Sequence, residues 1–340
     1  MKLGILTGGG DCPGLNPVIR AVVRTAHRYE YQVLGIENGW KGLVENMSRP
    51  MDMSSVSGII HRGGTILGTS RTNPFKETAA TEKLKTNFKK LGLDALIAIG
   101  GEDTLGAANK FYKEGFNVIG VPKTIDNDLS GTDVTFGFDT AVNIAMEAID
   151  RLHSTAESHR RIMVVEVMGR HAGWIALHSG IAGGADIILI PEVPIRIAEV
   201  VEVIKKRNER GKSFSIIVVA EGAKFDGSEV LLGSKPDDFG HVRLGGIGEM
   251  LAKKIEEATG LETRTAVLGH IQRGGTATAY DRVLGTRFGA KAVELVKKKD
   301  FGKMVALRGT EIVAIPIQDA VNKLKTVEPE YYDMARTFFG

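Results

Sequence analysis

The sequence is poor in the features that mark secreted, membrane and nucleic-acid-binding proteins. Its 340 residues include a single cysteine, Cys12, so no disulfide can form within the chain, which favours a cytoplasmic location. The 44 lysines and arginines nearly balance the 41 aspartates and glutamates, and this argues against a nucleic-acid partner. The least polar stretch, residues 172–195, still contains His178, Asp186 and Glu192, so we expect no membrane span.

Short runs rich in valine and isoleucine alternate with helical patterns along the whole chain. Such runs are typical of strands buried between layers of helices. We predict strands at residues 3–6, 33–36, 95–99, 118–121, 162–167, 187–190, 215–220 and 265–268, and helices at 16–28, 104–113, 140–153, 198–210, 247–258 and 281–297. Asn16 is expected to cap the first of these helices.

The alternation of strands and helices predicts an α/β fold, and the length of the chain favours two lobes. We expect two Rossmann-like lobes with mainly parallel sheets. We place the larger lobe at residues 1–139 and the smaller lobe at residues 140–299. The C-terminal segment, from about residue 300 to 340, is expected to pack back on the larger lobe.

Two glycine-rich turns follow predicted strands and precede predicted helices, at residues 8–11 (Gly-Gly-Gly-Asp) and 100–104 (Gly-Gly-Glu-Asp-Thr). Glycine lets the backbone approach a phosphate, and the free N–H groups there bind anions. The alternative is a tight turn without a ligand, in which the acids stabilise the helix dipole. One carboxylate satisfies that role. The presence of both Glu102 and Asp103 instead favours a Mg²⁺ ion bridged to phosphate oxygens.

A dense group of functional side chains lies at residues 122–128, Pro-Lys-Thr-Ile-Asp-Asn-Asp. The alternative is a polar turn, since Asn and Asp favour turns, but this leaves Lys123 and Thr124 unexplained. The functional interpretation makes one of the two aspartates a general base on a sugar hydroxyl. Glu221 and His270, near the ends of two later strands, are suited to hydrogen bonds with a sugar.

Several arginines stand at predicted strand ends beside glycines. Most surface arginines are simply solvated, but this placement suits bidentate binding of phosphate. The arginines in such positions are Arg71, Arg161, Arg170, Arg264 and Arg273. Together they indicate a site for a pair of highly phosphorylated substrates.

The sequence resembles the 6-phosphofructokinase family over nearly its whole length. The matching stretches are residues 8–11, 63–71, 100–104, 122–128, 165–170, 221 and 268–275. The runs Pro-x-Thr-Ile-Asp-Asn-Asp and Gly-His-x-Gln-Arg-Gly-Gly are highly specific in combination. The resemblance implies the phosphofructokinase fold, Mg²⁺ as cofactor, and phosphorylation of the 1-hydroxyl of fructose 6-phosphate in glycolysis or gluconeogenesis. It also implies that the larger lobe binds the phosphoryl donor and Mg²⁺ and that the smaller lobe binds fructose 6-phosphate.

The resemblance also implies roles for individual residues. Asp126 would be the general base, Thr124 would orient the reacting oxygens, and Arg71 and Arg170 would neutralise the moving phosphoryl group. The donor would be bound by Gly9, Gly10, Asp103 and Lys123, and the metal by Glu102, where many relatives carry aspartate. The sugar phosphate would be bound by Thr124, Ile125, Asp126, Arg161, Met168, Gly169, Arg170, Glu221, Arg264, His270, Ile271, Gln272 and Arg273. In a homodimer or homotetramer, Arg161 and Arg264 would come from a neighbouring subunit.

Two positions divide the family by phosphoryl donor. The users of ATP that this chain resembles have glycine at the positions of Asp103 and Lys123, whereas the users of pyrophosphate have aspartate and lysine, as here. The resemblance therefore implies a pyrophosphate-dependent, reversible enzyme. The alternatives are an ATP-dependent enzyme of the same fold, a nicotinamide-nucleotide or lipid kinase, and a non-enzymatic regulator that binds sugar phosphates. The last is disfavoured because both Asp126 and Glu102 are present.

Overall fold

The computed structural model describes residues 1–226, 238–240 and 245–340. Its strands are β1 (Lys2–Thr7), β2 (Gln32–Ile36), β3 (Ser48–Met51), β4 (Ala95–Gly100), β5 (Val118–Pro122), β6 (Ile162–Val167), β7 (Ile187–Leu189), β8 (Ser215–Ala220), β9 (Thr263–Val267), β10 (Lys303–Arg308) and β11 (Glu311–Pro316). Its helices are α1 (Leu15–Arg28), α2 (Trp40–Val44), α3 (Thr78–Lys90), α4 (Glu102–Lys113), α5 (Phe138–His159), α6 (Trp174–Ala182), α7 (Ile197–Glu209), α8 (Ile247–Thr259), α9 (Ala279–Lys298), α10 (Ile317–Val321) and α11 (Pro329–Arg336), with a 3₁₀ helix at Gly269–Arg273.

The strands form two sheets. The first has the order β11-β10-β5-β4-β1-β2-β3, and only its edge strands β3 and β11 run antiparallel to their neighbours. The second has the order β7-β8-β6-β9 and is parallel throughout. Every residue of β4, β5, β6 and β8 is buried, as expected for strands covered by helices on both faces. The predicted α/β class with mainly parallel sheets is confirmed.

The chain enters the second sheet through the long helix α5 and returns to the first at β10. Helix α9 packs against α1, while α11 packs against α6 of the second sheet. The Tyr332 hydroxyl in α11 donates to the carbonyl of Ile188 at 2.7 Å. The C-terminal segment thus contacts both sheets, and the predicted lobe limits stay a proposal.

The start of α1 differs from the prediction. Gly14, with φ of 108°, precedes the helix, and no side chain caps it. The Asn16 amide instead donates to the carbonyl of Arg62 at 2.9 Å, and its oxygen accepts from the N–H of Ile66 at 2.9 Å. The expectation that Asn16 caps α1 is therefore wrong, because its side chain fixes the loop that leads to Arg71.

Within the part of the chain that the structure describes, no helix is both long and apolar enough to cross a membrane.

Candidate active site

One cleft lies where the carboxyl ends of β1, β4 and β5 approach the carboxyl end of β6. This is the position at which open α/β sheets bind ligands. The residues that line it are Gly9, Gly10, Arg71, Gly101, Glu102, Asp103, Thr104, Lys123, Thr124, Asp126, Asp128, Arg170, His171, Phe239 and Arg273. Both glycine-rich turns, the polar run after β5 and three of the predicted arginines therefore share one site.

Hydrogen bonds to Thr69 and Ser70 fix the first glycine turn, of which Gly9 and Gly10 line the cleft. The N–H of Gly9, whose φ is 77°, donates to the carbonyl of Ser70 at 3.0 Å, and the Thr69 hydroxyl donates to the Gly9 carbonyl at 2.6 Å. A Cβ on Gly10 would stand 2.7 Å from the Arg273 guanidinium. A side chain at this position would therefore shift the Arg273 guanidinium, which lines the cleft.

Lys123 joins the end of β5 to this turn. Its side chain is buried, and its ammonium donates to the carbonyl of Gly10. The burial lowers the pKa of Lys123. Asp103, in the first turn of α4, lines the same cleft. The two side chains from which the resemblance implies the phosphoryl donor thus both line this cleft.

The loop that follows β5, residues 124–135, places a buried carboxylate oxygen in the cleft. Oδ1 of Asp126 has no hydrogen-bond partner among the described residues. The loop is fixed internally, because the Thr135 hydroxyl donates to the Thr124 carbonyl at 2.7 Å and the N–H of Asp126 donates to the Thr124 hydroxyl at 3.1 Å. A buried acceptor without a partner in the protein is open to a hydrogen bond from a bound ligand or from water.

Other carboxyl groups crowd Asp126. Burial, and then the charge of Asp126, raises the pKa of Asp128 to about 7. The same two causes raise the pKa of Glu221 to about 7, and the charge of Arg170 partly offsets the rise. Burial thus disfavours the charged forms of Asp128 and Glu221, and the neighbouring charge of Asp126 adds to this effect.

The loop after β6, residues 168–173, contributes the other wall. Gly169 has φ of 139°, and its carbonyl accepts from the N–H of Gly222 at 3.0 Å. The side-chain oxygen of the buried Gln272 accepts from the N–H of Met168 at 3.4 Å, and its amide donates to the carbonyl of Gly269. Gln272 thus holds the β6 loop against the segment that carries Arg273.

The cleft brings together some of the predicted sugar-binding residues, and Glu221 lies close enough for the charges of Asp126, Arg170 and Arg273 to act on its carboxyl group. Thr124, Asp126, Arg170 and Arg273 line the cleft. The remaining predicted residues are absent from its described lining: Ile125, Arg161, Met168, Gly169, Glu221, Arg264, His270, Ile271 and Gln272. Ile125 is buried in the core, whereas His270 and Ile271 are exposed.

Comparison with known proteins identifies the family. The sequence model of phosphofructokinase matches residues 2–296. The chain belongs to the phosphofructokinase family. It is 60% identical to a pyrophosphate--fructose 6-phosphate 1-phosphotransferase of Amycolatopsis methanolica and 53% identical to an ATP-dependent 6-phosphofructokinase 2 of Streptomyces coelicolor, with 100% of each chain covered in both cases.

A solved phosphofructokinase has the same fold. The structure of the Pichia pastoris phosphofructokinase in the T-state superposes with a TM-score of 0.84 and 34% identity over 94% of this chain. The present chain spans 35% of that longer polypeptide. The resemblance drawn from the motifs is confirmed by these matches.

Arg161 and Arg264 lie far from this phosphofructokinase cleft. Both flank the starting ends of β6 and β9, and both contact Glu262, with Nε of Arg161 2.7 Å from Oε2 of Glu262. Since β6 has six residues, its two ends are roughly 20 Å apart. Neither arginine can reach the cleft of its own chain.

The cleft also contains residues that the sequence analysis did not assign. Thr104, Asp128, His171 and Phe239 line it. Asp128 belongs to the polar run already singled out, and His171 directly follows Arg170 at a strand end, which is the signal that could have identified it. Phe239 has no such signal in the sequence.

No group of three or more His, Cys, Asp or Glu side chains within the described ranges could hold a metal ion by itself. Glu102 and Asp103 begin α4 beside the glycine turn and line the cleft. A divalent ion here would therefore use one or two carboxylates and take its other ligands from phosphate and water. This ligand set is the one that Mg²⁺ prefers.

Proposed function

We propose that the chain transfers a phosphoryl group from inorganic pyrophosphate to the 1-hydroxyl of fructose 6-phosphate, giving fructose 1,6-bisphosphate and phosphate, reversibly. The observation that carries this proposal is that Asp103 and Lys123 line one cleft with the buried carboxylate of Asp126. It is supported by the names of relatives that are 60% and 59% identical over the full chain, while relatives named as ATP-dependent are 53% identical.

The residues of the cleft divide the reaction between them. Asp126 accepts the proton of the 1-hydroxyl while the hydroxyl oxygen attacks the terminal phosphorus of pyrophosphate. The bridging P–O bond then breaks and phosphate is released. Arg71 and Arg170 stabilise the charge on the moving group, because both line the cleft from opposite walls. Thr124 orients the reacting oxygens. Gly9 and Gly10 bind the donor through the backbone.

The cofactor in this proposal is a divalent metal ion, and specifically Mg²⁺. Glu102 would hold it, with Asp103 beside it in the first turn of α4. When bound, the ion neutralises charge on the phosphate oxygens of the donor. The carboxylates of Glu102, Asp103, Asp126 and Asp128 all line this cleft, so it offers the oxygen ligands that Mg²⁺ prefers.

The donor assay tests the proposal directly. With fructose 6-phosphate and Mg²⁺, we expect rapid formation of fructose 1,6-bisphosphate from pyrophosphate and little or none from ATP, measured by a coupled assay. Omission of Mg²⁺ is the control and should abolish turnover. A preference for ATP would assign the alternative donor, and no turnover with either would favour a sugar-phosphate-binding regulator.

We further propose that the enzyme is a homodimer or homotetramer, in which Arg161 and Arg264 of a neighbouring subunit bind the 6-phosphate. Their distance from the cleft of their own chain supports this. Strand β9 is an edge strand, and the exposed fractions of Val267 and Ile271 near its end are 54% and 59%. Apolar exposure beside an unpaired strand edge favours contact with another subunit. The cytoplasmic location and the absence of a nucleic-acid or membrane partner also stay proposals.

Complementation tests this shared site. The Arg161→Ala and Asp126→Ala proteins should each be nearly inactive. Activity should return once the two proteins have been mixed and have exchanged subunits. In a dimer, random exchange leaves about a quarter of the sites with both residues intact. Subunit exchange is verified by native mass spectrometry of differently tagged chains. Exchange without recovery would mean that Arg161 serves another purpose.

A further inference from the structure

Residues 324–327, between α10 and α11, cross from one wall of the cleft to the other; we call them the C-terminal strap. On the first wall they bind the β5 loop. Leu324 forms a β-bridge with Leu129, and the N–H of Lys325 donates to the carbonyl of Asp128 at 2.8 Å. The Lys325 ammonium donates to the carbonyl of Thr132 at 3.1 Å and to that of Asp133.

On the second wall the strap binds the β6 loop and the start of α6. The indole N–H of Trp174 donates to the carbonyl of Lys325 at 2.9 Å. The N–H of Val327 donates to Oε1 of Glu192 at 2.9 Å, and the same carboxylate accepts from the N–H of Gly173 at 3.0 Å. Gly173 and Trp174 come just after Arg170 and His171, which line the cleft.

Lys325 is the residue at which these two sets of contacts meet. Its ammonium lies 5.1 Å from the centroid of the Trp174 ring, within the range of a cation–π interaction. The charges that face it are those of Asp133, Glu328 and Asp128. Burial lowers the pKa of Lys325 to about 8, so the ammonium is still charged at neutral pH.

We propose that Lys325 is a positioning residue for phosphoryl transfer, which sets the β5 loop, with its base Asp126, against the β6 loop, with Arg170. The proposal rests on the proposed function of that cleft. Lys325 contacts backbone carbonyls two to seven residues beyond Asp126, and it is not among the described residues that line the cleft. It therefore acts on geometry, and small displacements of reacting groups have large effects on turnover.

The test compares Lys325→Met with Lys323→Met. Methionine keeps most of the length of the side chain and removes the ammonium, and Lys323 is an exposed lysine in the same segment. We expect Lys325→Met to lower kcat roughly ten- to a hundred-fold while the KM for fructose 6-phosphate changes less than about three-fold. Lys325→Arg, which keeps a charged donor, should recover part of the loss. Lys323→Met should behave as wild type.

A second measurement does not depend on activity. Hydrogen–deuterium exchange of the free enzyme should be faster in residues 126–135 of Lys325→Met and unchanged in β4 and β6, because only the loop loses its attachment. The proposal is overturned if kcat matches that of Lys323→Met, if exchange is unchanged, or if exchange rises equally throughout the chain. If the wild type transfers no phosphoryl group, the proposed function fails while the exchange comparison still tests the strap.

Discussion

Asp126→Asn is expected to lower kcat by ~10²–10⁴-fold, the usual effect of removing a general base. Asparagine keeps the shape of the side chain, and its amide cannot accept the proton of the 1-hydroxyl. The buried Oδ1 of Asp126 has no hydrogen-bond partner among the described residues, so replacing that oxygen with the amide group should break no hydrogen bond made by it in the free enzyme. The KM for fructose 6-phosphate and the thermal stability should therefore change little.

Steady-state kinetics in both directions measure this effect, with Asp150→Asn as the matched control. Asp150 is exposed on α5, away from the strand ends, and its replacement should leave kcat unchanged. Asp128→Asn separates the two carboxylates of the loop. Near-normal turnover of folded Asp126→Asn, together with inactive Asp128→Asn, would assign the base to Asp128 instead.

The sequence predicts the buried strands well because their composition depends on burial alone. Strands β6 and β8 are buried at every position, so they are apolar on both faces with little interruption. The strands that it misses are β3 and β11, at the two edges of the first sheet, and β10, which lies next to β11. Strand β3 has four residues, contains Pro50 and has only one fully buried residue, Met51, which makes its sequence resemble a loop. Strands β10 and β11 begin or end with charged residues and pair mainly with each other.

The candidate site could be predicted where it depends on strand ends. Asp103 and Lys123 follow the neighbouring strands β4 and β5 and therefore meet at one edge of the first sheet. Arg170 follows β6 of the second sheet, whose carboxyl end faces the same cleft. Contacts between segments that are far apart in the sequence could not be predicted in this way. The side chain of Asn16 binds a loop some 50 residues away, and Lys325 reaches the β5 loop from almost 200 residues further along the chain.

The choice of phosphoryl donor should change when Asp103 and Lys123 are replaced by glycine. Asp103→Gly is expected to raise the use of ATP, because it removes both a side chain and a negative charge from the space beyond the transferring phosphates. Lys123→Gly should weaken the use of pyrophosphate ten- to a hundred-fold, since a charge-assisted contact contributes roughly 1.5–3 kcal/mol. The double variant should move the preference furthest toward ATP.

Donor selection must be measured as a ratio of activities with the two donors and not as an absolute activity. The ammonium of Lys123 also donates to the carbonyl of Gly10, so Lys123→Gly disturbs the glycine turn that both donors use. Absolute activity should therefore fall with either donor. The ratio of kcat/KM for ATP to kcat/KM for pyrophosphate cancels the loss that both donors share, so it measures donor selection alone.

This ratio is to be measured for the wild type, both single variants, the double variant and Asp103→Asn. Asparagine removes the charge of Asp103 and keeps its bulk. A ratio for Asp103→Asn close to that of Asp103→Gly would assign donor selection to charge repulsion. A ratio close to that of the wild type would assign donor selection to crowding. We expect the wild type to have the lowest ratio and the double variant the highest. A wild type that prefers ATP would contradict the donor assignment. An unchanged ratio across the whole series would show that these two side chains do not select the donor, although both line the phosphate cleft.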